Sequence, residues 1–557
     1  MRDKVLGVFL DRALLVEERA VGYLLQQSDP VAASLRVVES VGRLADPPLV
    51  VGLTEVLQHL EAQPRPSSIV VLMPGPGTGG PVPTLLPGSL PGAQALARED
   101  AHAHGLAPAL PSPSLTIAPA QRTPASAATA AAAAISVATV AAATASTRSG
   151  ATINRAGGLE VLRDITGNST CSGCASDFTK YFQDRFGKLR RLVGNRQEMS
   201  GALPVAALQH RTGTVKTLGI VHERSSTSKG GVIFELEDQT GSVKVLCMQG
   251  RAPIDIVTDE VVGVIGSLNA DRSLIYADAI VRPEIPVRRT GHRADRELHV
   301  AFASDIHVGS STFLDAQWDR FMDFLNGRLD TSNGLLDTLE YLIVPGDLVD
   351  GIGVYPNQRE ELLIPDIWRQ YEVLAELLKD VPDRIEVLLI PGNHDAVRQA
   401  EPQPALPRDV QKLFAGKVRF LGNPVMLGIE GVHVLAYHGH SIDDFVQTVQ
   451  GCTYEQPLVT MKEMLKRRHL APVYGGKVPI APEASDHLVI DTIPDIFVTG
   501  HVHGAGVEAH RGTLLINSSA WQSQTRYQKS MNFVPDPAKV PIVNLRDMSV
   551  KVMDFAA

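Results

Sequence analysis

Five short apolar runs, each ending in Asp, His or Asn, constrain this chain more than any other feature. Leu298 to Ser304 runs into Asp305-Ile306-His307. Tyr341 to Pro345 runs into Gly346-Asp347-Leu348-Val349-Asp350, and Val387 to Pro391 into Gly392-Asn393-His394-Asp395. Val432 to Tyr437 runs into His438-Gly439-His440, and Ile496 to Thr499 into Gly500-His501-Val502-His503. Strands that repeatedly end in polar loops specify an α/β layered fold with its ligand site at their carboxyl ends.

The flanking composition sets the rest of the organisation. Residues 1–62 read as a helical N-terminal module, with one helical run from Val5 to Gln27 and a second helix from Leu53 to Gln63. Residues 63–150 read as a disordered linker. Thirteen Pro fall between Pro64 and Pro124, and such a stretch buries too little apolar surface to offset its ordering entropy. Thr123 to Thr147 carries no charge, but it is Ala, Thr and Ser with few larger residues, which favours linker over membrane span. Residues 151–205 read as a helical segment, basic on one side and aromatic on the other between Asp177 and Leu192. Residues 206–290 hold five short strands with tight turns, a small closed barrel most simply of the OB type. Its strands offer few aromatics for stacking bases, so a partner-binding or positioning role is expected of it. Residues 291–557 carry the five polar strand ends.

Charge and cysteine content exclude some classes. With 52 Lys and Arg against 61 Asp and Glu, the net charge of −9 argues against a protein that binds nucleic acid through bulk positive charge. A local basic groove remains compatible with it, and Lys466-Arg467-Arg468-His469 reads either as a grip on nucleic-acid backbone or on a partner protein, or as a solvated helix face. Four Cys exclude a disulfide scaffold and fit a reducing, cytoplasmic setting. Cys171 and Cys174 form a single C-x-x-C without a second pair nearby, and they read as ordinary thiols. Met1-Arg2-Asp3-Lys4, with Asp11 and Arg12 interrupting the first apolar run, does not have the shape of a signal peptide.

The polar residues at the strand ends define a chemistry. Asp, His and Asn without thiolate suit Mn²⁺, with Mg²⁺, Fe²⁺ or Zn²⁺ as other candidates. Seven such ligands exceed what one ion takes, whereas two ions sharing a carboxylate use them all. Such a pair clamps a phosphate and generates a hydroxide for in-line attack. A neighbouring His can protonate the leaving oxygen.

D-x-H, G-D-x-x-D, G-N-H-D, a strand-end His and G-H-x-H, in that order, resemble the motif set of calcineurin-like metallophosphoesterases. The resemblance implies a layered β-sandwich flanked by helices, here preceded by the barrel and the helical module. It implies that Asp305, His307 and His503 hold one metal, that Asn393, His438 and His501 hold the second, and that Asp347 bridges them. His394 would act as general acid on the scissile phosphate, with Asp395 as its orienting partner and Asp350 supporting the ligands. His440 reads as a bystander rather than a substrate contact.

The barrel before this domain narrows the resemblance to the B-subunit family of replicative DNA polymerases, specifically its archaeal family D branch. Phe234 to Gly241, Arg282 to Pro286, Leu465 to Pro472 and Trp521 to Lys529 carry that similarity, which spans about residues 160–557. It implies a heterodimer with a large polymerase subunit and a 3′→5′ exonuclease acting on single-stranded or mismatched DNA ends, with no membrane partner. The alternative is a non-catalytic scaffold subunit, as in the eukaryotic branch, where metal ligands have been lost. Here none of the seven ligand positions nor His394 departs from the pattern, which favours a competent enzyme.

Overall fold

The computed structural model describes residues 15–16, 18–25, 27, 30–41, 50–51, 158–329, 334–416 and 418–556. The helix expected over 53–63, the linker over 63–150 and its uncharged tract lie outside the described residues. The chain divides into two units, Met1–Val140 and Ala141–Ala557.

In the first unit, helices span Glu18–Leu25 and Pro30–Val41. Their buried residues, Ala20, Val21 and Leu24 on one and Ala33, Val37 and Val38 on the other, recur at helical spacing and give each an apolar face. The single helical run expected from Val5 to Gln27 is interrupted within its described residues. Leu15–Val16 is extended and pairs in parallel with Val50–Val51, so the backbone there is satisfied by a sheet ladder instead.

The second unit opens with the strand Leu159–Arg163 and the 20-residue helix Ala175–Gly194. The helical segment expected over 151–205 is therefore only partly helical. The strand is an edge strand, antiparallel to Val425–Ile429, and three of its five residues are exposed. An edge strand with one face against solvent carries too little apolar periodicity to stand out in sequence.

The barrel strands are Thr214–Ser226, Val232–Asp238, Gly241–Cys247, Val261–Leu268 and Leu274–Val281. They close in the order first, second, third, fifth, fourth, and the third and fifth pair in parallel. Val232, Phe234 and Leu236 alternate inward with Val243, Val245 and Cys247 across the ladder, the period of two that a half-buried strand requires. The first strand is the longest of the five, at 13 residues. A register shift between His222 and Arg224, with Glu223 at a φ of 36°, lets its first half pair with the fourth strand and its second half with the second strand.

Two six-stranded sheets form the remainder. In the first the order is Val418–Phe420, Glu386–Ile390, Leu339–Pro345, His299–Phe302, Lys539–Asn544 and Val550–Asp554, with the first four parallel. The second runs Ala505–His510, Thr513–Ser518, Ile496–Thr499, Val432–Ala436, Val425–Ile429 and Leu159–Arg163. The facing surfaces interdigitate through Val300, Phe302, Ile343 and Leu388 on one side and Leu427, Val434, Ile496 and Ile516 on the other. Helices Asp315–Leu325 and Ile367–Leu378 bury Trp318, Phe321, Tyr371 and Leu374 against the outer face of the first sheet. Helices Ile442–Thr448 and Pro457–Arg467 place Phe445, Met461 and Leu465 on the outer face of the second. The result is a four-layer helix–sheet–sheet–helix sandwich. Each fully buried Leu, Ile, Val or Phe contributes about 1.5–3 kcal/mol.

The basic run over 466–469 is neither a nucleic-acid grip nor a solvated face. Arg467, Arg468 and His469 are buried. Arg467 pairs with Glu260 at 3.0 Å and donates to the Asp255 carbonyl at 2.7 Å, while Arg282 from the barrel exit reaches the same Glu260 at 3.2 Å. Arg468 donates to the carbonyls of Ile490 and Asp491 at 2.6 and 2.7 Å. His469 and Arg185 both meet the Asp486 carboxylate, at 2.9 and 2.8 Å. Asp255 and Glu260 of the barrel meet Lys466 and Arg467, while Asp486 meets Arg185 and His469. These contacts join the barrel and the long helix to the sandwich.

Candidate metal centre

All ten residues singled out in the sequence lie at the carboxyl ends of strands from both sheets, and eight of them converge there. Asp305 and His307 follow His299–Phe302, Asp347 and Asp350 follow Leu339–Pro345, and Asn393, His394 and Asp395 follow Glu386–Ile390. His438 follows Val432–Ala436, while His501 and His503 follow Ile496–Thr499. The chain leaves these strands sharply. Asp305, His307, Asp347, His501 and His503 have φ of 54°, 54°, 46°, 70° and 50°. Left-handed backbone at non-glycine residues costs energy, and its concentration on five candidate ligands marks a site that the fold holds under strain. Two glycines make room for the side chains. A Cβ on Gly392 would strike the Asp347 carboxylate, and one on Gly500 the Asp305 carboxylate.

At these strand ends three groups of ligand atoms gather within 4.8 Å: Asp305 with His307 and His503, His307 with Asp347 and His394, and Asp347 with His438 and His501. Asp347 belongs to two of them, with Oδ1 3.4 Å from His438 Nε2 and Oδ2 3.8 Å from both His307 Nε2 and His394 Nε2. Asn393 Oδ1 lies 2.9 Å from His438 Nε2. The His503 Nε2 atom is 3.0 Å from His307 Nε2 and 3.5 Å from Asp305 Oδ1.

The other imidazole nitrogens are held from behind. His307 Nδ1 meets the Asp350 carboxylate at 3.0 Å, His438 Nδ1 the Pro345 carbonyl at 3.0 Å, and His503 Nδ1 the Gln528 amide at 3.0 Å. His501 Nε2 lies 3.3 Å from Asp443. Asp350 is itself fixed by Gln358 and Gln522, each at 3.0 Å. Such partners fix ring orientation and tautomer, as the outer shell of a metal site does. Gln358, Gln522, Gln528 and Asp443 were not singled out in the sequence. The run over 521–529 contains two of them, and its pattern does not disclose what they touch.

The electrostatics suit a cation. Asp305, Asp347 and Asp350 are buried, and among the described residues no Lys or Arg pairs with them. Burial opposes the Asp347 anion, but His438 and His394 outweigh it and hold its carboxyl well below the usual range. Burial likewise opposes the His438 imidazolium, and Asp347 overrides it, pushing the group up to about 10. Two or three buried carboxylates facing imidazoles alone are satisfied by divalent ions in the same space. The donor set therefore fits the expected metals.

Two residues behave differently from expectation. Asp395 does not orient His394. Its carboxylate accepts from the Gly392 and Leu348 amides at 2.8 and 3.2 Å and from the Tyr371 hydroxyl at 2.9 Å, so it ties the loop together. Burial and the Asp347 charge push it up to about 7. His394 is instead held by the Asp350 carbonyl, 2.7 Å from its Nδ1. Motif order could not reveal this, because the partner is a backbone atom. His440 lines the cavity, its ring 5.2 Å from His501, and burial pushes it down to about 3.

The cluster opens into a cavity of about 280 Å³. His394, Asn393, Tyr355, Tyr527 and Phe533 are among the residues that line it. The free cysteines are distant in role. Cys171 contacts Glu483, Cys174 is exposed, and Cys247 and Cys452 are buried. No helix among the described residues is long and apolar enough to cross a membrane.

Comparison with known proteins places this arrangement. Residues 300–505 match the family described as the DNA polymerase alpha/epsilon B-subunit. The DNA polymerase II small subunit of Methanocaldococcus jannaschii is 43% identical over 398 residues, 70% of this chain and 67% of that protein. The DNA polymerase II small subunits of Archaeoglobus fulgidus and Halobacterium salinarum are each 42% identical, over 69% and 72% of this chain and 78% of each relative. Among solved structures, an archaeal phosphodiesterase aligns over 46% of this chain and 99% of its own, at 11% identity and a TM-score of 0.23. With 43% and 42% identity over 70% and 69% of its length, the chain belongs to the family of archaeal DNA polymerase II small subunits.

Proposed function

We propose that this chain is the proofreading subunit of a heterodimeric replicative DNA polymerase, a two-metal 3′→5′ exonuclease that hydrolyses terminal phosphodiester bonds. The observation that carries the reading is the shared Asp347 carboxylate, flanked by two ligand groups with His394 beside it. Asp305, His307 and His503 would hold one divalent ion, Asn393, His438 and His501 the other, and Asp347 both. Mn²⁺ suits the donor set best. The two ions, when bound, would supply the attacking hydroxide and neutralise charge on the phosphate.

The protein groups then have distinct tasks. His394 Nδ1 is engaged by the Asp350 carbonyl, which leaves Nε2 to donate a proton to the departing 3′ oxygen. Burial disfavours its imidazolium, but the charges of Asp347 and Asp350 outweigh that and raise its pKa, which favours the acid form. Asp350 holds His307, and Gln528 holds His503. The partner is the large polymerase subunit, as the names of the relatives imply for those proteins. We read the five-stranded barrel as OB type and assign it a positioning role. Its strands carry two aromatics, Phe234 turned inward and Tyr276 partly exposed, too few for a stacking platform.

The test is degradation of a 5′-labelled primer with a mismatched 3′ end, by the chain alone and with its large subunit, in Mn²⁺ or Mg²⁺. A ladder of shortened products that vanishes in His394→Ala supports the reading. No degradation under either metal, with the complex still assembling, supports a scaffold subunit instead.

A further inference from the structure

The cavity over the metal centre is lined by two kinds of side chain: imidazoles and carboxylates, and the apolar or aromatic groups of Val354, Tyr355, Tyr527, Met531 and Phe533. Tyr355 and Tyr527 stack, with ring centroids 5.5 Å apart and planes 30° from parallel. The Tyr355 ring lies 6.2 Å from that of His394. Tyr527 is 48% exposed, so its ring is available at the mouth rather than consumed in the core.

A terminal nucleotide has two complementary halves, an anionic phosphate and a flat apolar base. We propose that Tyr355 and Tyr527 form a stacking wall that takes the base of an unpaired 3′-terminal nucleotide, so that the site selects frayed or mismatched ends. This rests on the exonuclease reading above. Two geometric facts support it. At about 280 Å³ the cavity is near the small end of ligand pockets, a scale that suits a single nucleotide. The wall is also tied to the metal centre. Tyr527 sits on the short helix Arg526–Ser530, capped at Thr525, and the next residue, Gln528, bonds His503. Tyr355 is fixed by its hydroxyl, which donates to Glu361 at 3.2 Å. A base on this wall would therefore stand in register with a phosphate beside His394. A paired base must first leave its duplex stack, and that requirement favours mismatches.

The experiment uses the full chain in complex with its large subunit and has two readouts. The first is fluorescence of a single strand bearing 2-aminopurine at its 3′ terminus, bound in Mn²⁺ in a His394→Ala background so that the strand stays intact. Stacking quenches this probe. Quenching is expected with Tyr527 present, lost in Tyr527→Ala and retained in Tyr527→Phe. The second is the ratio of kcat/KM for strands ending in a normal or an abasic nucleotide. That ratio is expected at about tenfold, falling towards one in Tyr527→Ala and preserved in Tyr527→Phe. Equal quenching and an equal ratio in Tyr527→Ala would overturn the stacking wall while leaving the exonuclease intact. Absence of cleavage with quenching that still depends on Tyr527 would overturn the exonuclease reading and keep the base-binding wall.

Discussion

The carbonyl oxygen of Asp350 lies 2.7 Å from Nδ1 of His394, while the carboxylate of the same residue lies 3.0 Å from Nδ1 of His307. One residue thus orients both the proposed acid and a metal ligand, through two different atoms. A side-chain substitution at 350 can remove the second contact and leave the first.

Asp350→Asn is therefore expected to weaken metal binding by about 10–100-fold, the usual consequence of losing a ligand's supporting partner. Gln528→Leu should act in the same direction through His503. Titration of the apo protein with Mn²⁺ by calorimetry checks both. Unchanged affinity in both variants would exclude these supporting roles.

His394→Ala should lower the rate of strand cleavage by about 10²–10⁴-fold, the range of a lost general acid. Metal affinity should change little, because the seven ligands remain. A variant that loses metal and activity together would instead make His394 a ligand.

Arg467→Met should lower stability, because it leaves Glu260 with one cationic partner fewer in a buried network. Removing one member of a buried pair costs about 3–5 kcal/mol. Thermal unfolding checks the size. Binding of a DNA strand at low salt should be unaltered in the folded variant, since the guanidinium faces the barrel and not solvent.

Acid should loosen the junction around Asp486. Burial holds His469 neutral, its pKa lowered to about 4, whereas the unfolded residue titrates near 6.5. The unfolded chain therefore binds more protons between these values, so stability falls as pH drops from about 6.5 to 4. Asp486 adds to the loss at lower pH. Burial opposes its charge, but His469 and Arg185 outweigh that and hold it well below the usual carboxylate range. Melting temperature against pH should slope downward on the acid side, and His469→Gln should flatten the part between 6.5 and 4.

Much of the site was legible before folding because its residues follow apolar runs one after another. Asp305 and His307, or His501 and His503, are neighbours in sequence, and the strand before each delivers them to the same edge. What closes the site was not legible. Gln522 and Gln528 lie 172 and 178 positions beyond Asp350, and no local period connects them. The same holds for Lys466 and Arg467, whose charges look solvent-bound until Asp255 and Glu260 of the barrel are placed against them.

The sequence by itself determined the layered α/β class, the barrel strands and the set of candidate ligand residues, because strand periodicity and residue type are local properties. Tertiary structure decided which partner holds each imidazole, that Asp395 braces a loop, that Leu159–Arg163 completes a sheet, and that two tyrosines face the metal centre. Those outcomes depend on contacts between distant segments, and such contacts exist only once the two sheets have packed and brought their strand ends together.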